Sequence, residues 1–262
     1  MLDRFPERHL GEHGDIWRYE NLDEPPPLDH HYLLVQSAYN EEALSRERLA
    51  LTSEWLIPSL QAQNKKVVVQ VSLCKDDPLL AERMEVFLSC GHKVEFVYRD
   101  RSDVPVHEGN VSNNDPWDIP VGPRVAASRV DDDNAIPNDF FEITQITAAN
   151  CELSEAILQW PKGYVLIDRV LYRSSRPGNH FCTMLSSCGL HPYIDLHWKL
   201  PNTFPVVTVD QSRGWVCVHP DHDVADARQN YVGNRASPMV MSRWPMAFSQ
   251  RIDNARQAPQ RT

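Results

Sequence analysis

The sequence predicts an α/β fold: an open mixed sheet, at least partly parallel, flanked by helices. Two observations predict it. Short apolar runs alternate with helical patterns between residues 32 and 98, the β-α-β-α-β order expected of a parallel sheet with crossover helices. A further run, Arg124 to Val130, ends in the acidic triplet Asp131-Asp132-Asp133. Open α/β sheets bind their ligands outside the carboxyl ends of their strands.

The elements follow in order. Residues 1–30 are polar, rich in His, Asp and Pro, and end near Glu24-Pro25-Pro26-Pro27, which suits an extended arm. Tyr32-Leu33-Leu34-Val35-Gln36 is a buried strand leading into the polar loop Ser37-Ala38-Tyr39-Asn40. A helix should follow, with Leu44, Leu51 and Trp55 on one face, kinked or ended by Pro58, which lacks a backbone donor. Val67 to Leu73 is apolar and β-branched, a second strand. Asp77-Pro78 starts a helix as N-cap and first residue. Leu80, Met84, Phe87 and Leu88 form its apolar face, and Gly91 suits its end. Lys93 to Tyr98 is the third strand, and Arg124 to Val130 the fourth. Between them, residues 101–123 carry prolines and asparagines and form a long loop, a feature that is often functional. Asn138 to Trp160 reads as helical with a break near Asn150-Cys151. Tyr164 to Tyr172 reads as one strand. Val206 to Val209 and Trp215 to Val218 read as two more, joined by a turn at Asp210–Gly214. The domain is expected over 31–235, with a nucleotide-binding half at 31–135, an acceptor-side half at 136–235 and a tail at 236–262.

Composition narrows the function. A chain of 262 residues with net charge −10 is no general nucleic-acid binder. Cysteines at 74, 90, 151, 182, 188 and 217 show neither zinc spacing nor a disulfide framework. No apolar run reaches the roughly 18 residues of a transmembrane helix, and the first ten residues are charged. A soluble, cytoplasmic protein is expected.

Three adjacent carboxylates repel one another unless they are solvated or hold a cation. Asp131 and Asp133 have the spacing to aim two hard oxygen ligands at Mn²⁺ or Mg²⁺, with substrate phosphates completing the shell. The alternative is a solvated acidic turn. On the cation reading, Asp133→Asn should relieve repulsion and leave the fold at least as stable. Gln36, Ser37, Tyr39 and Asn40 could hold a base or ribose, or form an ordinary turn. Asp76 is free to meet the same ligand if Asp77 caps the helix. Arg129 could balance phosphate charge or neutralise its acidic neighbours. His219 follows an apolar run and is a candidate metal ligand, with Asp221 and Asp223 to orient it; a solvated His/Asp turn is the alternative.

Trp55-Leu56-Ile57-Pro58-Ser59-Leu60-Gln61-Ala62-Gln63, Ser128 to Phe140 around the triplet, and Trp215 to His219 together resemble the putative rhamnosyltransferase family, similar in outline to GT-A nucleotide-sugar glycosyltransferases. The resemblance covers about residues 30–235. Asn134 stands where a fourth Asp is usual. The resemblance implies a GT-A-like fold and transfer of a sugar, rhamnose by the family label, from a nucleotide-diphosphate donor to a carbohydrate or other acceptor hydroxyl. The metal would be held by Asp131, Asp133 and His219. Gln36, Ser37, Tyr39, Asn40, Asp76, Arg129 and Asp132 would hold the donor. Asp195 lies where such enzymes build their acceptor site and is the candidate general base. Two rivals remain: a metal-dependent phosphohydrolase or nuclease using His219, Asp221, His222 and Asp223 with the triplet, and a non-catalytic module on the same fold.

Overall fold

The computed structural model describes residues 28–99, 117–122, 124–167, 170–175, 179, 181–194, 197, 199–209 and 214–218. Of the expected arm over 1–30, residues 1–27 lie outside them, as does the tail at 236–262, and His30 begins the first strand. Four strands form the parallel half of a seven-stranded sheet: β1 (His30–Gln36), β2 (Val68–Cys74), β3 (Lys93–Arg99) and β4 (Val125–Asp131), in the order β3-β2-β1-β4. These are the four strands expected from the sequence. The same sheet continues through three later strands in the order β8-β5-β9: β5 (Ala156–Gln159), β8 (Cys182–Ser186) and β9 (Val206–Thr208). Strand β8 is antiparallel to both β4 and β5, and β9 is parallel to β5. A three-stranded sheet, ordered β10-β6-β7, is built from β6 (Lys162–Ile167), β7 (Val170–Ser175) and β10 (Val216–Val218). The fold is therefore an open mixed α/β sheet, as expected.

Alternation along the strands sorts the side chains between two faces. Leu33, Val35, Val69, Val71, Leu73 and Val130 lie in one cluster with Leu56, Leu60, Phe87, Phe140 and Phe141. That is the helix-covered face. Its helices are α2 (Ile57–Gln61), α3 (Leu80–Leu88) and α4 (Phe140–Ala149), while Leu51 at the end of α1 (Glu42–Leu51) packs on a second cluster with Trp55, Ala135 and Tyr164. Tyr32, Leu34, Val125 and Ala127 face the other way, against Ile119 and Tyr193. Pro58 does not end the first helix. A π turn over Thr52–Leu56 joins α1 to α2, with Ile57 N–H donating to the Thr52 carbonyl. The wide turn re-spaces the backbone hydrogen bonds next to the residue that cannot donate one.

The second half corrects the sequence reading in four places. Residues 138–160 are not one broken helix, because α4 ends at Ala149 and Ala156–Gln159 is a strand. Tyr164 to Tyr172 crosses the corner of an antiparallel hairpin, β6–β7. Strand β8 was not expected at all. Strands β9 and β10 belong to different sheets rather than to one turn-linked pair. Close aromatic packing anchors this half. Trp215 stacks on Phe181 with ring centroids 5.0 Å apart and donates from Nε1 to the Trp160 carbonyl at 2.9 Å. A Cβ at Gly163 would lie 2.0 Å from Trp215, so only glycine lets strand β6 approach that ring. Among the described residues, no helix is long and apolar enough to cross a membrane.

Candidate active site

Parallel pairing brings the carboxyl ends of β1, β2 and β4 to one edge. Gln36 pairs in register with Asp131 on one side and Ser72 on the other. The loop Ser37–Asn40, the exposed Asp76 and the acidic triplet therefore share that edge. In the triplet, the chain turns directly after β4, and Asn134 N–H donates to the Asp131 carbonyl at 3.2 Å.

Each aspartate meets its own arginine. Asp131, the most exposed of the three, lies 3.5 Å from Arg129 Nη2. The two are separated by one residue on the strand and so share a face. The Arg129 guanidinium stacks 4.4 Å over the Tyr193 ring. Its Nε and Nη1, and the Tyr193 hydroxyl, are buried without a hydrogen-bond partner.

Asp132 turns inward and is 1% exposed. It accepts from Ser37 Oγ at 2.5 Å and from Tyr39 OH at 2.8 Å. Arg83 Nη1 is 3.8 Å from the same carboxylate and donates to Ser37 Oγ at 3.1 Å. The rest of the Arg83 fork is equally engaged. Nε donates to Asp77 Oδ2 at 2.7 Å, and Nη2 donates to Ser45 Oγ and the Ser45 carbonyl at 2.6 and 2.8 Å. Asp77 also accepts from the Leu79 N–H at 2.9 Å and from Ser45 Oγ at 2.5 Å. One buried guanidinium thus ties α1, α3, the Ser37 loop and the triplet together. Burial raises the Asp132 carboxyl above its usual range, against the pull of Arg48, Ser37, Arg83 and Tyr39. Burial, and then Asp132, push the Tyr39 hydroxyl well up.

Asp133 is 7% exposed and accepts from Arg48 Nη1 on α1. Burial pushes its carboxyl up to about 7; Arg48 pulls it down, and the neighbouring carboxylates of Asp132 and Asp131 push it up. The Arg48 guanidinium stays charged, held well above its ordinary value by Asp133 despite its own burial.

Gln36 leans to the other side of the edge. With its amide oriented to accept, it receives Arg99 Nη1 and Nη2 at 3.1 and 3.3 Å. Asn40 is half-buried. Asn134, the departure from the fourth acid, has a structural use: its Oδ1 accepts from the Val218 N–H at 3.2 Å, and Ala135 bridges Val216. The strand preceding His219 is thereby pinned to the triplet. Asp195, His219, Asp221, His222 and Asp223 lie outside the described residues. Sequence reasoning missed Arg48 and Arg83. They lie 85 residues from Asp133 and 46 from Ser37 along the chain, and in sequence each is an ordinary helix charge.

Among the described residues, no three His, Cys, Asp or Glu side chains gather as a metal centre. Asp131 and Asp133 nevertheless suit a hard divalent ion, which is commonly held by one or two carboxylates with phosphate oxygens and water.

A model of the family described as "Putative rhamnosyl transferase" matches residues 35–233. The chain belongs to this family. The rhamnosyl transferase match spans the Ser37 loop, both helix arginines, the triplet and Trp215. No curated protein matches the sequence. Among solved structures, S. aureus TarS 1-349 in complex with UDP-GlcNAc aligns with TM-score 0.47 and 10% identity, over 73% of this chain and 59% of that one. The crystal structure described as S. aureus TarS 1-349 gives 0.44 and 12%, over 72% and 60%. HddC from Yersinia pseudotuberculosis gives 0.34 and 10%, over 76% and 97%. The chain spans about three fifths of the length of the TarS fragments it resembles.

Proposed function

We propose that this chain transfers a sugar from a nucleotide-diphosphate donor to an acceptor hydroxyl, with Mn²⁺ or Mg²⁺ held by Asp131 and Asp133. The observation that carries the reading is the gathering of the triplet, the Ser37–Asn40 loop and Asp76 at the carboxyl ends of three parallel strands, in a chain whose family is rhamnosyl transferase. Rhamnose is the sugar that the family name suggests. A bound cation would offset the charge that develops on the leaving diphosphate.

The protein groups divide the remaining work. Asp132 fixes Ser37 and Tyr39, which sets the loop that meets the base or ribose. Asp76, exposed at the end of β2, supplies a further acceptor for the nucleoside. Gln36 and Asn40 border the same edge. Arg129, with two unpartnered buried donors, is suited to a phosphate oxygen. Asp195 is the proposed base that takes the proton of the acceptor hydroxyl. Tyr193, two residues earlier, packs on Arg129. His219 is the proposed further metal ligand, and Asn134 holds the strand just before it.

A thermal-shift screen of nucleotide sugars, with and without Mn²⁺, tests the reading, because a ligand that binds the native state raises the melting temperature. A metal-dependent shift by a nucleotide sugar, without release of nucleoside monophosphate, is expected. Steady monophosphate release with no transfer would favour the phosphohydrolase. No shift by any nucleotide sugar would favour the non-catalytic module.

A further inference from the structure

Arg48 differs from the other arginine that reaches the triplet from a helix. Arg83 is fully buried, and Nε, Nη1 and Nη2 all donate. Arg48 is 24% exposed at its side chain, pairs with Asp133 through Nη1, and leaves its buried Nε without an acceptor. It is also within electrostatic reach of Asp131, Asp132 and Tyr39. A carboxylate as buried as Asp133 needs a counter-charge. Arg48 supplies one from α1, and its side chain is 24% exposed, whereas Arg83 is wholly enclosed.

We propose that Arg48 is a displaceable counter-ion of Asp133: a divalent cation must take its place on the carboxylate, and the freed guanidinium then clamps the donor diphosphate. This rests on the transferase reading above. A guanidinium and a divalent cation on one carboxylate oxygen repel strongly at contact distance, so the two compete. A diphosphate brings the acceptor oxygens that Arg48 Nε lacks, and guanidinium–phosphate pairs are strong. Metal and nucleotide binding are therefore coupled: the nucleotide gives Arg48 somewhere to go, and so promotes metal binding at Asp133.

Manganese titration, followed by calorimetry and by electron paramagnetic resonance of free Mn²⁺, reads the competition directly. UDP is the nucleotide probe. In R48Q the Mn²⁺ affinity without nucleotide should rise about tenfold, and the UDP affinity at saturating Mn²⁺ should fall about tenfold, each the size of one charge-assisted contact. R48K keeps the charge but loses the fork, so it should lie between, and melting curves should show both variants folded. Unchanged or weaker Mn²⁺ binding in R48Q overturns the proposal, as does UDP binding that is indifferent to Arg48. If the wild-type protein binds neither UDP nor any nucleotide sugar, the transferase reading falls as well. UDP binding with Mn²⁺ affinity unmoved by R48Q removes the counter-ion role alone.

Discussion

The inner and outer parts of the acidic triplet use the same chemistry to different ends. Inside, Asp132 and Arg83 are sealed from water, and nearly every polar atom around them has a partner. Outside, Asp133 and Asp131 meet Arg48 and Arg129, whose guanidinia both keep buried donors without acceptors. A saturated buried network fixes geometry, and changing it costs stability. An unsaturated one at a strand end keeps capacity for a ligand. On the proposed function, the difference separates, within three adjacent residues, a carboxylate that shapes the site from carboxylates that serve a substrate.

The largest effect should come from breaking the inner network. Arg83→Met strands the buried Asp77 without its cation and takes one of two from Asp132, and it should cost about 3–5 kcal/mol, the usual loss when one partner of a buried ion pair is removed. Chemical denaturation reads this, and a loss below about 1 kcal/mol would erase the contrast. Asp132→Asn comes next. It keeps the shape but loses the charged acceptor for Ser37 and Tyr39, for a cost of about 1–3 kcal/mol. Below about pH 4, where the Asp133 carboxyl is protonated, Asp133→Asn should change stability by less than about 1 kcal/mol, because the amide keeps the shape of the neutral acid. Asp133 also has a cationic partner in Arg48, so the change removes that attraction together with the repulsion from Asp132 and Asp131.

The same substitution sharpens the contrast through pH. The Asp133 carboxyl is raised in the folded protein to about 7, above the usual unfolded value of about 4. Between those values the native state binds more protons than the unfolded chain, so this group's contribution falls as pH rises and its cost is complete above about 7. His31, buried with its pKa lowered to about 3, acts in the opposite sense: the unfolded chain takes up its proton first, and stability falls as pH drops below about 6.5. The Asp133 part is therefore the difference between wild-type and D133N stability across pH 4–7. The destabilisation caused by D133N should shrink, or turn into stabilisation, as pH rises. A flat difference would place Asp133 in an ordinary solvated setting.

The parallel half was legible because each of its strands is a compact apolar run bounded by turn residues, as at Tyr32–Gln36 and Val67–Leu73. The later half was not. Ala156–Gln159 has four residues and follows a helical stretch closely, and Cys182–Ser186 has Thr183 as its single β-branched residue. Both are stabilised by pairing with partners remote in sequence, which no local pattern reports. The site shows the same division. The triplet and its place at a strand end were visible, while the arginines that face it come from helices and are recognised only once the chain is folded.

The claim that the triplet edge is a donor site is tested most directly by calorimetric titration of UDP, in the presence of Mn²⁺, into wild-type protein and D133N. Binding by the wild type and its loss in a D133N protein that melts at a similar temperature is the predicted result. Equal UDP affinity in the two proteins would contradict it.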